Sequence, residues 1–167
     1  GSVGLIHKGL DIVIDAFKEL PDLSLNVYGL DKKEYGLFEE LKADNTYNKK
    51  RINVLSDEFI TDVVKKHNFM ILDSCSEGMS TAVSTCMAHG IIPIVSMECG
   101  FNEAPSIIQL EDNSVEGVKA AIQKACDMSD EEVLAMRKDC YEYARNQFSL
   151  EHFDHVFYEE LNKILNM

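Results

Sequence analysis

Apolar residues recur at two different spacings along this chain of 167 residues. Helical spacing of three or four residues first appears in the stretch 10–20, where polar residues occupy the other face. Similar patterns predict further helices at 31–43, 57–67, 79–88, 114–127, 130–147 and 150–165. Short apolar runs between them predict strands at 23–28, 52–55, 69–72, 91–95 and 106–110, the last one at an edge of the sheet.

The order of these elements predicts the fold class. Strands that alternate with helices pair in parallel, so we expect an α/β, doubly wound (Rossmann-like) fold with a mostly parallel sheet and helices on both faces. A helical C-terminal tail follows the sheet. Its last helix carries a single apolar stripe, which we expect to pack against the core. The stripe consists of Leu150, Phe153, Val156, Phe157, Leu161, Ile164 and Leu165.

The stretch Ser74–Val95 organises the rest of the chain. It is predicted to contain a strand end, a tight loop with Glu77, a helix capped by Ser80 or Thr81, and a buried strand. Gly90 is expected to end the helix in the left-handed conformation. Ligands of doubly wound sheets bind beyond the carboxyl ends of the strands, where unpaired helix N–H groups attract anions.

The net charge and the cysteines argue against several classes of function. The net charge of −13 argues against nonspecific binding to nucleic acid or anionic membranes, although one Lys and local N–H groups can still hold a small anion. The five cysteines include no C-x-x-C pair, which argues against a disulfide framework and a zinc site and favours a cytoplasmic setting. No apolar run approaches the roughly 18–20 residues of a membrane span.

Six short motifs occur in an order that identifies a family. They are H-K-G at the first helix, a strand that ends at Gly29, S-x-x-E-G from Ser74, C-M-A-H-G-I-I-P-I-V from Cys86, G-F-N-E from Gly100 and F-S-L-E-H-F from Phe148. With these motifs the chain resembles the C-terminal, donor-binding half of GT-B-fold retaining glycosyltransferases of family four. The resemblance covers essentially all of residues 1–167, which we expect to form one nucleotide-sugar-binding domain.

The resemblance implies an activity. Such proteins transfer a sugar from a nucleotide diphosphate sugar to an acceptor such as a growing polysaccharide or glycoconjugate, and they need no metal or other cofactor. The acceptor site lies in an N-terminal domain, which is absent here, so this fragment alone is expected to be inactive. The implied setting is bacterial and cytoplasmic, with peripheral attachment at the inner face of the membrane through the missing domain.

The resemblance also assigns roles to individual residues. Lys8 should meet the diphosphate and stabilise charge on the leaving group. Glu77 should accept hydrogen bonds from the donor sugar. The main chain at Gly29, Gly78 and Gly100 is expected to approach the ligand closely. The remaining donor-site residues implied by the family pattern are Gly29, Gly78, Met79, Ser80, Thr81, Thr85, Gly100, Phe101, Asn102 and Glu103.

Three departures from the family pattern separate this chain from its relatives. Thr85 stands where the family usually has a second Glu for the ribose, and Ser2 stands where it usually has an Arg for the diphosphate. The apolar strand that precedes the first glycine is missing. We therefore expect an incomplete sheet or a contact from another chain that replaces this strand.

Two other interpretations stay open at this stage. A non-catalytic relative with a degenerate nucleotide site would serve in assembly, as Thr85 and Ser2 suggest. An unrelated doubly wound binding domain would place the Lys8 and Glu77 loops far apart. Taken without the family pattern, Lys8 is a solvated helix-start residue and Glu77 a carboxylate near a helix N-terminus.

Overall fold

The computed structural model describes residues 4–101 and 104–165. Within these ranges five strands form, and every strand pair is parallel. One sheet pairs β1 with β2, and the other has the order β3-β4-β5. The strands are β1 (Leu25–Tyr28), β2 (Thr46–Lys49), β3 (Phe69–Leu72), β4 (Ile92–Val95) and β5 (Ile108–Gln109).

Helices connect the strands and complete the chain. Their bounds are α1 (Leu10–Lys18), α2 (Tyr35–Leu41), α3 (Asp57–Phe59, which continues as a π-helical turn over Ile60–Val64), α4 (Thr81–Met87), α5 (Val115–Cys126), α6 (Asp130–Gln147) and α7 (Leu150–Leu165). Short 3₁₀ turns occupy Lys32–Glu34 and Met97–Cys99. The predicted α/β class with a helical tail is thus confirmed, although the parallel strands are divided between two sheets.

The main core lies where α1 and α5 pack against the strands. Val13, Ile14 and Phe17 of α1 are buried together with Val27 of β1 and Ile94 of β4. Both sheets therefore contribute to one apolar cluster, even though they do not pair with each other. All four residues of β4 are buried, as expected for a strand covered on both faces.

The second predicted strand was placed wrongly. Residues 52–55 form no strand: a turn over residues 53–56 is closed by the Ser56 amide, which donates to the Asn53 carbonyl at 3.0 Å, and Leu55 is 91% exposed. The strand is instead the polar segment Thr46–Lys49, which pairs with β1 along one edge. A strand at the end of a sheet buries few side chains, so hydrophobic periodicity does not reveal it.

The predicted packing of the last helix was also wrong. None of the α7 residues is buried, and Phe153, Phe157 and Ile164 are 61%, 51% and 68% exposed. The periodicity identified the apolar stripe correctly. Nothing within the described part of the chain covers it.

Ser129 is the N-cap residue of α6 and forms a complete capping box with Glu132. A substitution at Ser129 therefore tests how much this cap stabilises the domain. Ser129 Oγ accepts from the Glu132 amide at 3.3 Å, while the Glu132 carboxylate accepts from the Ser129 amide at 2.7 Å. We expect Ser129→Ala to lower the free energy of unfolding by about 1 kcal/mol, because the helix-start N–H groups lose the hydroxyl partner. Urea denaturation measures this change, and an unchanged midpoint would contradict it.

Candidate functional site

The loop before α1 lies along the carboxyl end of β3. The Cys75 amide donates to the His7 carbonyl at 2.9 Å, and His7 Nε2 lies 3.0 Å from the Ser76 carbonyl oxygen. Gly9 precedes α1 with φ 65°, in the left-handed region. A Cβ atom at Gly9 would come within 1.9 Å of the Asp73 carbonyl oxygen, so this loop and the end of β3 are in direct backbone contact.

This backbone contact places Lys8 next to Glu77, which lies 69 residues later in the chain. The Lys8 ammonium donates to Glu77 Oε1, and the Ser74 hydroxyl donates to the same oxygen at 3.3 Å. The two side chains are 24% and 16% exposed, so the ion pair is partly shielded from water. The Lys8 and Glu77 loops therefore adjoin, which removes the arrangement expected for an unrelated domain.

The loop at residues 98–101 packs on the Glu77 loop. The Glu77 amide donates to the Glu98 carbonyl at 3.0 Å. Gly100 has φ 80°, and a Cβ there would come within 2.2 Å of the Gly78 carbonyl oxygen. Phe101 is buried and its ring packs edge-on against Phe148, so only its main chain can face a ligand. Asn102, Glu103 and Ser2 lie outside the described residues.

Gly29 belongs to a separate part of the same edge. It has φ 81° directly after β1. The loop that follows it contacts the N-terminal loop, because Glu34 Oε1 accepts from the Gly4 and Leu5 amides at 2.7 and 2.6 Å. The carboxyl ends of β1 and β3 thus lie on either side of residues 4–9.

Helix α4 is shorter than the sequence predicts. It has seven residues and begins at Thr81, with Ser80 in the N-cap position, as expected. The Ser80 side chain makes no capping hydrogen bond among the described residues. Met79 is 54% exposed beside it. A helix this short has a small dipole, because the dipole grows with the number of aligned peptides.

Thr85 is already engaged within α4. Its hydroxyl donates to the Thr81 carbonyl at 2.7 Å, and its own carbonyl lies 2.8 Å from His89 Nδ1. The hydroxyl oxygen can still accept one hydrogen bond from a ligand, but its proton is committed. Gly90 follows with φ 69°, which confirms the predicted left-handed end of this helix.

Asp73 is a buried carboxylate that sequence reasoning missed. It is 1% exposed, and neither of its oxygens has a hydrogen-bond partner among the described residues. Burial, together with the charges of Asp11, Glu98 and Asp112, raises the pKa of this carboxyl to about 7. Asp11 Oδ1 is likewise buried without a partner in the described ranges. The available signal was an acidic residue that directly follows an apolar strand.

Two shielded thiols, Cys86 and Cys140, are poor nucleophiles. Burial raises the pKa of Cys86 to about 11 and that of Cys140 to about 12, so both remain protonated near neutral pH. Within residues 4–101 and 104–165, no group of three or more His, Cys, Asp or Glu side chains is arranged to hold a metal ion. Within those ranges there is also no helix long and apolar enough to cross a membrane.

Comparison with known families gives one match. Residues 3–147 match the family described as Glycosyl transferases group 1. The match includes every described strand, the Lys8 loop and the Glu77 loop, and it ends before α7. No curated protein matches the chain.

Several solved structures share the fold. HepE from Anabaena in complex with UDP and glucose is 14% identical, with a TM-score of 0.77, over 97% of this chain and 47% of that chain. Sucrose-phosphate synthase from Thermosynechococcus elongatus is 17% identical, with a TM-score of 0.75, over 96% and 43%. WaaG, a glycosyltransferase involved in lipopolysaccharide biosynthesis, is 18% identical, with a TM-score of 0.69, over 87% and 41%. The chain spans less than half the length of these structures.

Proposed function

Because the chain belongs to the glycosyl transferases group 1 family, we propose that its domain binds the nucleotide diphosphate sugar of a retaining glycosyltransferase. The observation that carries this proposal is the direct Lys8–Glu77 contact at the carboxyl ends of parallel strands. The two residues come from loops far apart in sequence. Their meeting point also adjoins the main chain of Gly78 and Gly100.

The proposed roles follow from the chemistry of these groups. The Lys8 ammonium is placed to neutralise the diphosphate and to stabilise the charge that develops on it as the sugar leaves. The Glu77 carboxylate accepts hydrogen bonds from sugar hydroxyls. Thr85 supplies a neutral acceptor where a carboxylate would bind the ribose more strongly. The main chain supplies the remaining contacts, at Gly78, Met79, Ser80, Thr81, Gly100 and Phe101, and at Gly29 after β1.

We further propose that the domain works within a longer protein. The matched structures are more than twice as long as this chain, which supports a second domain that holds the acceptor. Transfer to a polysaccharide or glycoconjugate in the bacterial cytoplasm, with attachment at the inner membrane face through that domain, fits this proposal. No metal or other cofactor is required in it, because Lys8 supplies the positive charge at the diphosphate.

The divided sheet supports one more partner, a strand between β1 and β3. Residues 4–7 bond to Glu34, after β1, and to Cys75, after β3. A strand inserted between β1 and β3 would therefore end near this loop and lie parallel to both strands. We propose that this strand comes from the complete protein or from another chain. It would join both sheets into one.

Nucleotide binding tests the proposed site. We expect Lys8→Gln to weaken binding of UDP-glucose, the ligand of a HepE structure, by about tenfold or more, because a charge-assisted contact to phosphate is lost. Isothermal titration calorimetry of the complete protein with UDP and UDP-glucose measures the change.

Lys18→Gln is the matched control for this prediction. Lys18 lies at the other end of α1 and pairs with Asp15 at 2.7 Å on the surface. The Lys18→Gln substitution should leave the dissociation constant for UDP-glucose within about twofold of that of the unmodified protein, since exposed ion pairs contribute little. Equal effects of the two substitutions would contradict the assignment of Lys8. Failure of UDP-, GDP-, ADP- and dTDP-sugars to bind the unmodified protein would contradict the proposed function.

A further inference from the structure

Ser74 lies just beyond the end of β3, between the Lys8 loop and Glu77. It is fully buried. The Ser74 hydroxyl oxygen is 3.2 Å from the His7 carbonyl oxygen and 3.3 Å from Glu77 Oε1. A hydroxyl has a single proton to donate, so Ser74 cannot donate fully to both acceptors at once. Its proton is therefore shared between the Lys8 loop and the carboxylate.

Neither of these acceptors depends on Ser74 alone. The His7 carbonyl also accepts from the Cys75 amide at 2.9 Å, and Glu77 Oε1 also accepts from the Lys8 ammonium. Both Ser74 distances are longer than the value of about 2.7–2.8 Å that is usual between a hydroxyl and an oxygen acceptor. The hydroxyl can therefore shift fully toward Glu77 without leaving the His7 carbonyl unpaired.

Donor binding changes the partners of Glu77. Under the proposed function, Lys8 turns toward the diphosphate, and its contact with Glu77 Oε1 is lost. Among the described residues, the Ser74 hydroxyl is then the remaining side-chain donor to that oxygen. The Glu77 side chain is only 16% exposed, so water replaces the ammonium in part at most. A hydroxyl that donates to a carboxylate makes a short and strong bond, because the acceptor is charged.

We propose that Ser74 is a positioning residue for the donor sugar. Its hydroxyl moves fully onto Glu77 when the diphosphate takes Lys8, and it holds the carboxylate where the sugar hydroxyls donate to it. This inference rests on the proposed function, through the roles of Lys8 and Glu77. Its consequence is selectivity: a nucleotide diphosphate sugar needs Glu77 in place, whereas the bare nucleoside diphosphate uses only Lys8.

A separate contact holds the main chain of Ser74. The Ser96 hydroxyl donates to the Ser74 carbonyl at 2.7 Å, and the Ser96 amide donates to the Leu72 carbonyl at 3.2 Å. Ser96 directly follows β4, which pairs with β3. These bonds fix the backbone at the end of β3 and leave the Ser74 hydroxyl to Glu77 and His7. Ser96 is therefore a matched control, because it supports the same residue through its main chain.

Binding of UDP-glucose and of UDP to the complete protein tests the role of Ser74. We expect Ser74→Ala to raise the dissociation constant for UDP-glucose by about tenfold, because a hydrogen bond to a charged group is lost. The dissociation constant for UDP should stay within about twofold, since UDP has no sugar hydroxyls for Glu77 to accept from. Isothermal titration calorimetry measures both. Equal weakening of the two ligands, or no change in either, would overturn the proposal.

A second substitution shows whether Ser74 acts through Glu77. In the Glu77→Ala protein the acceptor is gone, so the further change Ser74→Ala should weaken UDP-glucose binding by less than about twofold. The pair of measurements forms a double-mutant cycle, in which two residues that act together do not have additive effects. A loss as large as that in the unmodified protein would show that Ser74 acts without Glu77, and would overturn the proposal.

Ser96→Ala separates positioning from packing. Loss of the Ser96 hydroxyl should lower the thermal midpoint by several degrees, because the Ser74 carbonyl loses a buried donor. It should leave the ratio of the UDP and UDP-glucose dissociation constants within about twofold of that of the unmodified protein. A ratio that changes as much as in Ser74→Ala would assign the selectivity to packing at the end of β3 and overturn the proposal.

The unmodified protein separates this inference from the proposed function. If it binds UDP-glucose and Ser74→Ala leaves the selectivity unchanged, the positioning role is wrong and the donor site stands. If it binds none of the UDP-, GDP-, ADP- and dTDP-sugars, the donor site is wrong, and the role of Ser74 is wrong with it. Should another of these sugar nucleotides bind in place of UDP-glucose, the same comparison applies to that ligand and its own diphosphate.

Discussion

Replacing Gly9 by alanine is expected to lower the free energy of unfolding by about 3 kcal/mol or more, enough to unfold a marginally stable domain. Gly9 has φ 65°, where a Cβ costs roughly 1–2 kcal/mol. The added atom would also come within 1.9 Å of the Asp73 carbonyl oxygen and 2.7 Å of its carbon. Both are backbone atoms, so relief requires the N-terminal loop to separate from β3.

Gly9→Ala is also expected to disturb the proposed donor site at Lys8 and Glu77. The contact at Gly9 holds Lys8 against the end of β3, where Glu77 follows. Gly9→Ala should therefore reduce UDP-glucose binding even under conditions where the domain remains folded. Urea denaturation measures the stability change, and calorimetry measures the binding.

Gly36→Ala is the matched control. Gly36 lies in α2, and a Cβ there has no heavy atom within 4 Å. Alanine should raise stability by up to about 1 kcal/mol, because it favours the helix and restricts the unfolded chain. A Gly9→Ala protein as stable as the Gly36→Ala protein would show that the loop and β3 are not in contact.

Replacing Asp73 by asparagine is expected to remove a large pH dependence of stability. The pKa of Asp73 is raised from 3.8 to about 7 by burial and by the neighbouring charges of Asp11, Glu98 and Asp112. Between these two pH values the folded chain binds a proton that the unfolded chain releases. The contribution of Asp73 is therefore fully present below about pH 4 and is lost as the pH rises through 7.

The size of the effect has an upper limit of about 4 kcal/mol, since each unit of pKa difference corresponds to about 1.4 kcal/mol. The amide that replaces the carboxyl stays neutral at every pH, so the Asp73→Asn variant should be more stable than the unmodified domain above about pH 7. Urea denaturation between roughly pH 4 and 8, plotted as the difference between the two proteins, measures this. Carboxylates that do not interact with Asp73 cancel in the difference.

Asp15→Asn controls for the loss of a carboxylate. Asp15 is exposed and pairs with Lys18, so its removal should change stability by less than about 1 kcal/mol at each pH. Parallel stability curves for the Asp73→Asn protein and the unmodified domain would contradict the burial of Asp73 without a partner among the described residues.

The errors at residues 46–55 and at α7 share a physical cause. Hydrophobic periodicity reports where apolar residues recur, and it does not report whether other residues cover them. Val54 and Leu55 are apolar residues in a turn, while the polar segment Thr46–Lys49 is a strand because its backbone pairs with β1. In α7 the stripe is real, but its cover is not formed by the described residues.

The sequence by itself determined the α/β class, the long helices, the apolar strands β3 and β4, and the family through its ordered motifs. These features depend on the spacing of apolar residues and on turn residues, and both are set by residues close together in the sequence. Only the tertiary structure decided that Lys8 meets Glu77, that Asp73 is buried without a partner among the described residues and that the strands divide into two sheets. Each of these depends on segments distant in sequence, because parallel pairing and burial bring together residues that no local pattern relates.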